Sequence, residues 1–158
     1  MADELPAMGS SWMFTADESA GGRTDPMWAP KKTDRPKSNQ PKVLVVDDQK
    51  LIADTLAEIL ENAGFDAVAA YDGFDGLEKA SRFHPDWILA DVLMPRMNGV
   101  ELAIAVRKNH PNAAILLLSG QAGISEILED GRRQGYQFEL IAKPVHPLKL
   151  IQRITEGE

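Results

Sequence analysis

The chain has 158 residues, about the length of one domain and enough to bury a core. With 44% hydrophobic and 26% charged residues it has the composition of a globular protein, and its longest apolar run, Ala113 to Leu118, is far too short to cross a bilayer. The net charge of −7 argues against nucleic acid as the main partner, and the absence of cysteine excludes disulfide frameworks, thiolate metal sites and a cysteine nucleophile.

Residues 1–40 read as a disordered N-terminal extension. They hold Pro6, Pro26, Pro30, Pro36 and Gly21-Gly22 among many polar residues, with no sustained hydrophobic period. The apolar groups Trp12-Met13-Phe14 and Met27-Trp28 stand out in it, and Lys31, Lys32, Arg35 and Lys37 read as a solvated charge run. The opening Met1-Ala2-Asp3-Glu4 lacks the basic-then-apolar pattern of a secretory signal, so a cytoplasmic protein without membrane contact is expected.

From Pro41 the pattern becomes short apolar runs alternating with helical periods. Val43-Leu44-Val45-Val46 is a strand buried on both faces. A helix follows with Leu51, Ile52, Thr55, Leu56, Ile59 and Leu60 on one stripe, ending near Gly64. Ala67 to Ala70 is a weaker strand, and Asp72 caps a helix carrying Phe74, Leu77, Ala80 and Phe83. Pro85 ends that helix before the strand Trp87 to Ala90. Asn98-Gly99 opens a third helix with Leu102, Ala105 and Val106, and Pro111 breaks it before the strand Ala114 to Leu118. A fourth helix from about Gly123 to Gln134, a strand Phe138 to Ala142, and a helix with Leu148, Ile151 and Ile154 complete the chain. Five strand–helix units in alternation imply a parallel sheet covered on both faces, residues 41–158 forming one α/β domain.

Ligands of open parallel sheets bind beyond the carboxyl ends of the strands. The first strand runs into Asp47-Asp48, the third ends in Asp91, the fourth in Ser119 and the fifth in Lys143. The second strand has no such group, as an edge strand would not need one. Crowded carboxylates repel one another, which raises a pKa or recruits a cation. Hard oxygen ligands with no nearby His or Cys favour Mg²⁺. A carboxylate can attack phosphorus to form an aspartyl phosphate, and the transferring group then needs a metal, an ammonium and a hydroxyl donor.

Val45-Val46-Asp47-Asp48, the stretch from Asp91-Val92-Leu93-Met94-Pro95 to Arg96-Met97-Asn98-Gly99, Ser119-Gly120 and Lys143-Pro144 resemble the four signature blocks of response-regulator receiver domains. The resemblance runs from Lys42 to about Thr155. It implies a flavodoxin-like (βα)5 doubly wound sheet with strand order 2-1-3-4-5. It also implies phosphoryl acceptance on Asp91, Mg²⁺ held directly by Asp48 and Asp91, through water by Asp47 and by the Leu93 carbonyl, and phosphoryl contacts from Ser119 and Lys143. Pro95, Gly99 and Pro144 carry structural roles by the same resemblance, with a cis Lys143–Pro144 bond expected. Ser119 and the residue three before the lysine form the switch; that residue is usually aromatic but here is Leu140, with Tyr136 and Phe138 nearby.

The implied partners are a sensor histidine kinase or histidine phosphotransfer protein, docking on the first helix through Leu51, Ile52 and Leu56 and on Val145-His146-Pro147, and a downstream protein. Because the sequence ends just past the last helix, a stand-alone receiver read out by protein contact is expected. Such a protein catalyses its own phosphorylation and dephosphorylation without being a dedicated enzyme. Two other readings compete with this one. One is a receiver-fold interaction module that is never phosphorylated, which the intact acidic, hydroxyl and ammonium set opposes. The other is a phosphatase of the haloacid-dehalogenase type, which wants a second Asp two residues after the nucleophile, where this chain has Gln49 or Leu93. His84, His110 and His146 each precede proline and are placed in connections. Trp87, near the third strand, is expected to report on Mg²⁺, and Gln121, with Leu93, to affect phosphoryl lifetime.

Overall fold

A computed structural model of the chain describes residues 39–120 and 124–157. Nearly all of the extension expected over 1–40, with its tryptophans and basic run, lies outside these residues, as do Gln121 and the expected start of the fourth helix. The elements alternate: β1 (Lys42–Val46), α1 (Lys50–Asn62), β2 (Asp66–Ala70), α2 (Gly73–Phe83), β3 (Trp87–Asp91), α3 (Gly99–Asn109), β4 (Ala114–Ser119), α4 (Ser125–Arg133), β5 (Glu139–Ala142) and α5 (Pro147–Glu156). All strand pairs are parallel and the order is β2-β1-β3-β4-β5.

Alternation along each strand divides the core into two layers. Leu44, Val46, Ile88, Ala90, Ile115 and Leu117 face α2, α3 and α4. Val43, Val45, Leu89, Leu116 and Leu118 face α1 and α5. A strand covered on both sides must be apolar at every position, which is why β1, β3 and β4 read as continuous runs rather than alternating ones. The edge strand β5 is mostly exposed, and its Glu139 is paired with Arg153 of α5.

Helix ends follow local polar chemistry. The Asp72 carboxylate accepts the Asp75 N–H at 2.7 Å. Asn98 and Glu101 form a reciprocal capping box at the start of α3. His146 Nδ1 accepts the Leu148 N–H at 3.2 Å, and Pro147 opens α5.

Three large residues expected on inward stripes face solvent instead: Leu51 is 78% exposed, Leu148 64% and Phe74 51%. The inward positions are Ala53, Leu56 and Leu60 on α1, Gly73, Gly76 and Ala80 on α2, and Leu150 and Ile154 on α5. The reason is close approach. A Cβ on Gly76 would lie 3.1 Å from Val46 and 3.3 Å from Leu102, so the small residue brings α2 down onto the sheet. On α3, Ala103 and Ile104 are buried with Leu102 and Val106, whereas Ala105 is only half-buried. Among the described residues no helix is long and apolar enough to cross a membrane.

Gly99 closes the return from β3 into α3. Its N–H donates to the Val92 carbonyl at 2.8 Å, and a Cβ there would fall well inside contact distance of the Asp91 carbonyl oxygen. The glycine is therefore required for room beside the Asp91 backbone. Gly99→Ala is expected to destabilise the domain by about 1–3 kcal/mol, the usual range for overpacking. Urea unfolding would show this as a lowered midpoint; an unchanged midpoint would contradict the close approach.

Candidate functional site

The parallel register sets four strand ends side by side. Asp47 directly follows β1, Asp91 ends β3, Ser119 ends β4 and Lys143 directly follows β5. Backbone bonds continue the ladder past the strands and fix these residues: the Asp47 N–H donates to the Ala70 carbonyl at 3.1 Å and the Lys143 N–H to the Ser119 carbonyl at 2.8 Å. Lys143 Nζ then reaches across β4 to Asp47 Oδ2 at 3.3 Å and Asp91 Oδ1 at 3.4 Å. Gly120 leaves room for this reach, because a Cβ there would stand 3.0 Å from the lysine stem. The Lys143–Pro144 peptide bond is cis.

Asp47 is fully buried, Asp91 nearly so, and Asp48 is exposed. Oxygen atoms of all three lie within 4.8 Å of one another. Asp48, Asp91, Leu93, Ser119 and Lys143 line one cavity of about 600 Å³, with Ile52 and Ile124 as apolar walls. Burial is the main cause pushing the Asp91 carboxyl above its ordinary pKa; Lys143 opposes this, while Asp47 and Asp48 add to it. Among the described residues a single ammonium thus stands beside this group of three carboxylates. That donor set, hard oxygens with room for water beside them, fits a divalent cation of the Mg²⁺ type.

Val92 and Leu93, at the start of the loop that runs to Asn98, line the site, and the loop contains a residue that neither pattern nor spacing singles out. Arg96 has φ +70°, a left-handed conformation costing about 1–2 kcal/mol for a side-chain-bearing residue. Its guanidinium pairs with Asp72 at 3.0 Å and stacks over Phe74 at 5.1 Å. Exposed contacts of these kinds each contribute about 0.5–1 kcal/mol, so they roughly offset the backbone cost. No one-dimensional signal joins positions 72 and 96.

Other expectations fall elsewhere. Leu140 is exposed on β5, and Tyr136 stacks on Phe138 at the start of that strand, with centroids 6.0 Å apart. Leu140, Tyr136 and Phe138 share a separate cavity of about 270 Å³ with Val100 and Leu128, and none of them lines the cavity holding Ser119. Trp87 opens β3 and Asp91 closes it, so the indole sits at the opposite end of the strand, under Arg153, and is poorly placed to sense a cation. The histidines do lie in connections, but His84 and His110 meet edge-on with ring centroids 5.6 Å apart.

This strand order, with its charged rim at one end of the sheet, defines the flavodoxin-like class of α/β domains. Residues 43–155 match the family description of the response regulator receiver domain, and the chain belongs to that family. Among solved structures it is similar to the chemotaxis protein CheY4 of Vibrio cholerae, at 29% identity and TM-score 0.65, covering 74% of this chain and 98% of that one. It is also similar to a CheY-like receiver domain protein of Methanospirillum hungatei, at 28% identity and TM-score 0.67, covering 75% and 94%. The receiver domain of the Francisella response regulator 1452 matches at 32% identity and TM-score 0.62, covering 74% and 95%. The domain is thus a receiver of the two-component type, a family of phosphoacceptors rather than dedicated enzymes.

The electrostatics give a stability prediction. A carboxyl whose pKa is raised by folding favours the folded state below its unfolded value, and that advantage is lost as pH rises through the folded value. Asp91→Asn should therefore stabilise the cation-free protein at neutral pH, since burial and like charge outweigh the attraction of Lys143. The gain should vanish in acid. Denaturant unfolding in chelator at neutral and acidic pH measures it; a variant less stable than wild type at neutral pH would contradict the balance.

Proposed function

We propose that the domain accepts a phosphoryl group on Asp91 in a Mg²⁺-dependent reaction and signals through the proteins it then binds. The observation that carries this reading is the convergence of Asp47, Asp48, Asp91, Ser119 and Lys143 on one strand-end rim, with Lys143 between two buried carboxylates. Asp48 and Asp91 would hold the cation directly, Asp47 through a water, and the Leu93 carbonyl would complete the protein ligands. When bound, the cation supplies positive charge that offsets the carboxylates and the phosphoryl oxygens.

The chain's own residues do the rest. An Asp91 carboxylate oxygen bonds to phosphorus as the bond from phosphorus to a donor histidine nitrogen breaks. The imidazole keeps the electron pair and takes up a proton. Lys143 turns from Asp47 toward a phosphoryl oxygen, and the Ser119 hydroxyl donates to another. Pro95 and Gly99 shape the loop that closes behind Asp91, and Pro144 shapes the turn after Lys143. Ser119 and Leu140 occupy the switch positions. With Leu140 aliphatic and exposed, and the Tyr136–Phe138 stack in a different cavity, an aromatic toggle at this position is not part of the reading.

The phosphodonor, a sensor histidine kinase or histidine phosphotransfer protein, would dock on an apolar groove of about 380 Å³ between α1 and the β5–α5 connection. Leu51, Ile52, Ile59, Val145 and Pro147 line it beside Lys143. The exposure of Leu51, unexplained by packing, fits such a partner. Output through protein contact and a cytoplasmic location belong to the same reading.

Two measurements test this. Acetyl phosphate should label the protein only with Mg²⁺ present, and Asp91→Asn should abolish the label; persistence of label in that variant sinks the assignment. Leu51→Asp adds a carboxylate in the first turn of α1, where the helix tolerates it. With a kinase core that labels the wild type, transfer should slow by about tenfold or more, as for an interface anchor. Acetyl phosphate labelling should stay within about twofold. Equal transfer rates would move the docking site elsewhere.

A further inference from the structure

The loop between β3 and α3 is anchored at both ends. Asp91 pairs with Leu118 in the sheet, the Val92 N–H donates to the Leu118 carbonyl at 3.1 Å, and the Gly99 N–H returns to the Val92 carbonyl at 2.8 Å. Between these anchors the Met97 N–H donates to the Pro95 carbonyl at 2.7 Å, two residues back. Arg96 is therefore the centre of a three-residue turn with φ +70°. A tight turn of this hand is rare and strained, and a bulky side chain makes it more so. Something outside the loop must hold it.

The start of α2 does so. Asp72 uses both carboxylate oxygens, Oδ1 to cap the helix at the Asp75 N–H and Oδ2 to take the Arg96 guanidinium. Phe74, half-exposed, lies under the same guanidinium. Met97 seats on Gly73, where a Cβ would come within 2.7 Å of its side chain. The loop is thus clipped to α2 by two consecutive residues. Leu93, at the loop's other end, lines the cavity with Asp48, Asp91 and Ser119, whereas Arg96 does not.

We infer that Arg96 is a positioning residue: clamped by Asp72 and Phe74, it keeps the β3–α3 loop in the conformation that places Leu93 in the wall of the phosphoryl site. The inference rests on the phosphoacceptor reading for its purpose, but the clamp itself can be tested without any phosphodonor. Residues 72 and 96 belong to different elements, so the clamp also ties the start of α2 mechanically to the site.

The test uses Arg96→Gly, which accepts the left-handed backbone while deleting the clamp, and Asp72→Asn, which keeps the capping oxygen but loses the charge. Mg²⁺ affinity is read by calorimetry with the cation alone, and order in residues 92–98 by amide hydrogen exchange. Arg96→Gly should weaken Mg²⁺ binding by about threefold to tenfold and speed loop exchange comparably, because the glycine backbone, though free of the strain, is also free to leave the turn once the ion pair and the cation–π contact are gone. Asp72→Asn should do so less, the double variant should add little to Arg96→Gly, and Arg96→Lys should recover part of the loss. A merely structural residue would lower the urea midpoint and leave Mg²⁺ affinity alone. Mg²⁺ affinity and loop exchange within about twofold of wild type in Arg96→Gly would overturn the clamp, twofold being below the effect of either contact. Failure of the wild type to accept phosphoryl from acetyl phosphate, with those shifts present, would count against the phosphoacceptor reading and leave the clamp standing.

Discussion

Lys143 stands between two buried carboxylates, 3.3 Å from Asp47 and 3.4 Å from Asp91, and the organisation of the site follows from that arrangement. Isolated charges at this depth would be prohibitively costly, whereas a hydrogen-bonded cation between two anions is tolerable. The arrangement needs three strands at once. β1 must deliver Asp47, β3 Asp91 and β5 Lys143, each directly at or after the strand's last paired residue. It also needs β4 between the last two to end in a residue that leaves the lysine stem room, and Ser119-Gly120 does so. A slip of one residue in any strand would turn the group onto the opposite face of the sheet.

The same arrangement is incomplete by design. One ammonium does not balance three carboxylates, and Asp91 carries the consequence in a carboxyl held above its usual pKa mainly by burial. The protein thereby stores unfavourable electrostatics at the place where a cation and a phosphoryl group are proposed to bind. Stability given up in the free state becomes differential affinity for whatever relieves it, which is how a small ligand or modification can bias a two-state element.

Much of this was legible in the sequence because the strongest local signals coincide with the site. The apolar runs of β1, β3 and β4 are continuous since both faces are buried, and each stops abruptly at a polar residue, so strand ends and site residues were found together. Helix faces were less legible. Leu51, Phe74 and Leu148 looked like core by size and spacing, but α1 and α2 approach the sheet through Ala53, Gly76 and Ala80, and the large residues were left outside. A hydrophobic stripe wider than the contact cannot say which of its edges is buried. The Arg96–Asp72 clamp was invisible for a different reason. It joins residues 24 apart through a backbone conformation that arginine rarely adopts, so neither propensity nor spacing announces it. Trp87 and Asp91 share a strand, but four residue steps along β3 separate them by about 13 Å at 3.3 Å per residue.

The central claim is that Asp91, and no other carboxylate on the rim, takes the phosphoryl group. Borohydride reduces an aspartyl phosphate to homoserine, so peptide mapping by mass spectrometry after acetyl phosphate and Mg²⁺ treatment locates the acceptor directly. The account predicts homoserine at position 91 alone. Homoserine at position 47 or 48, or at none, would contradict it.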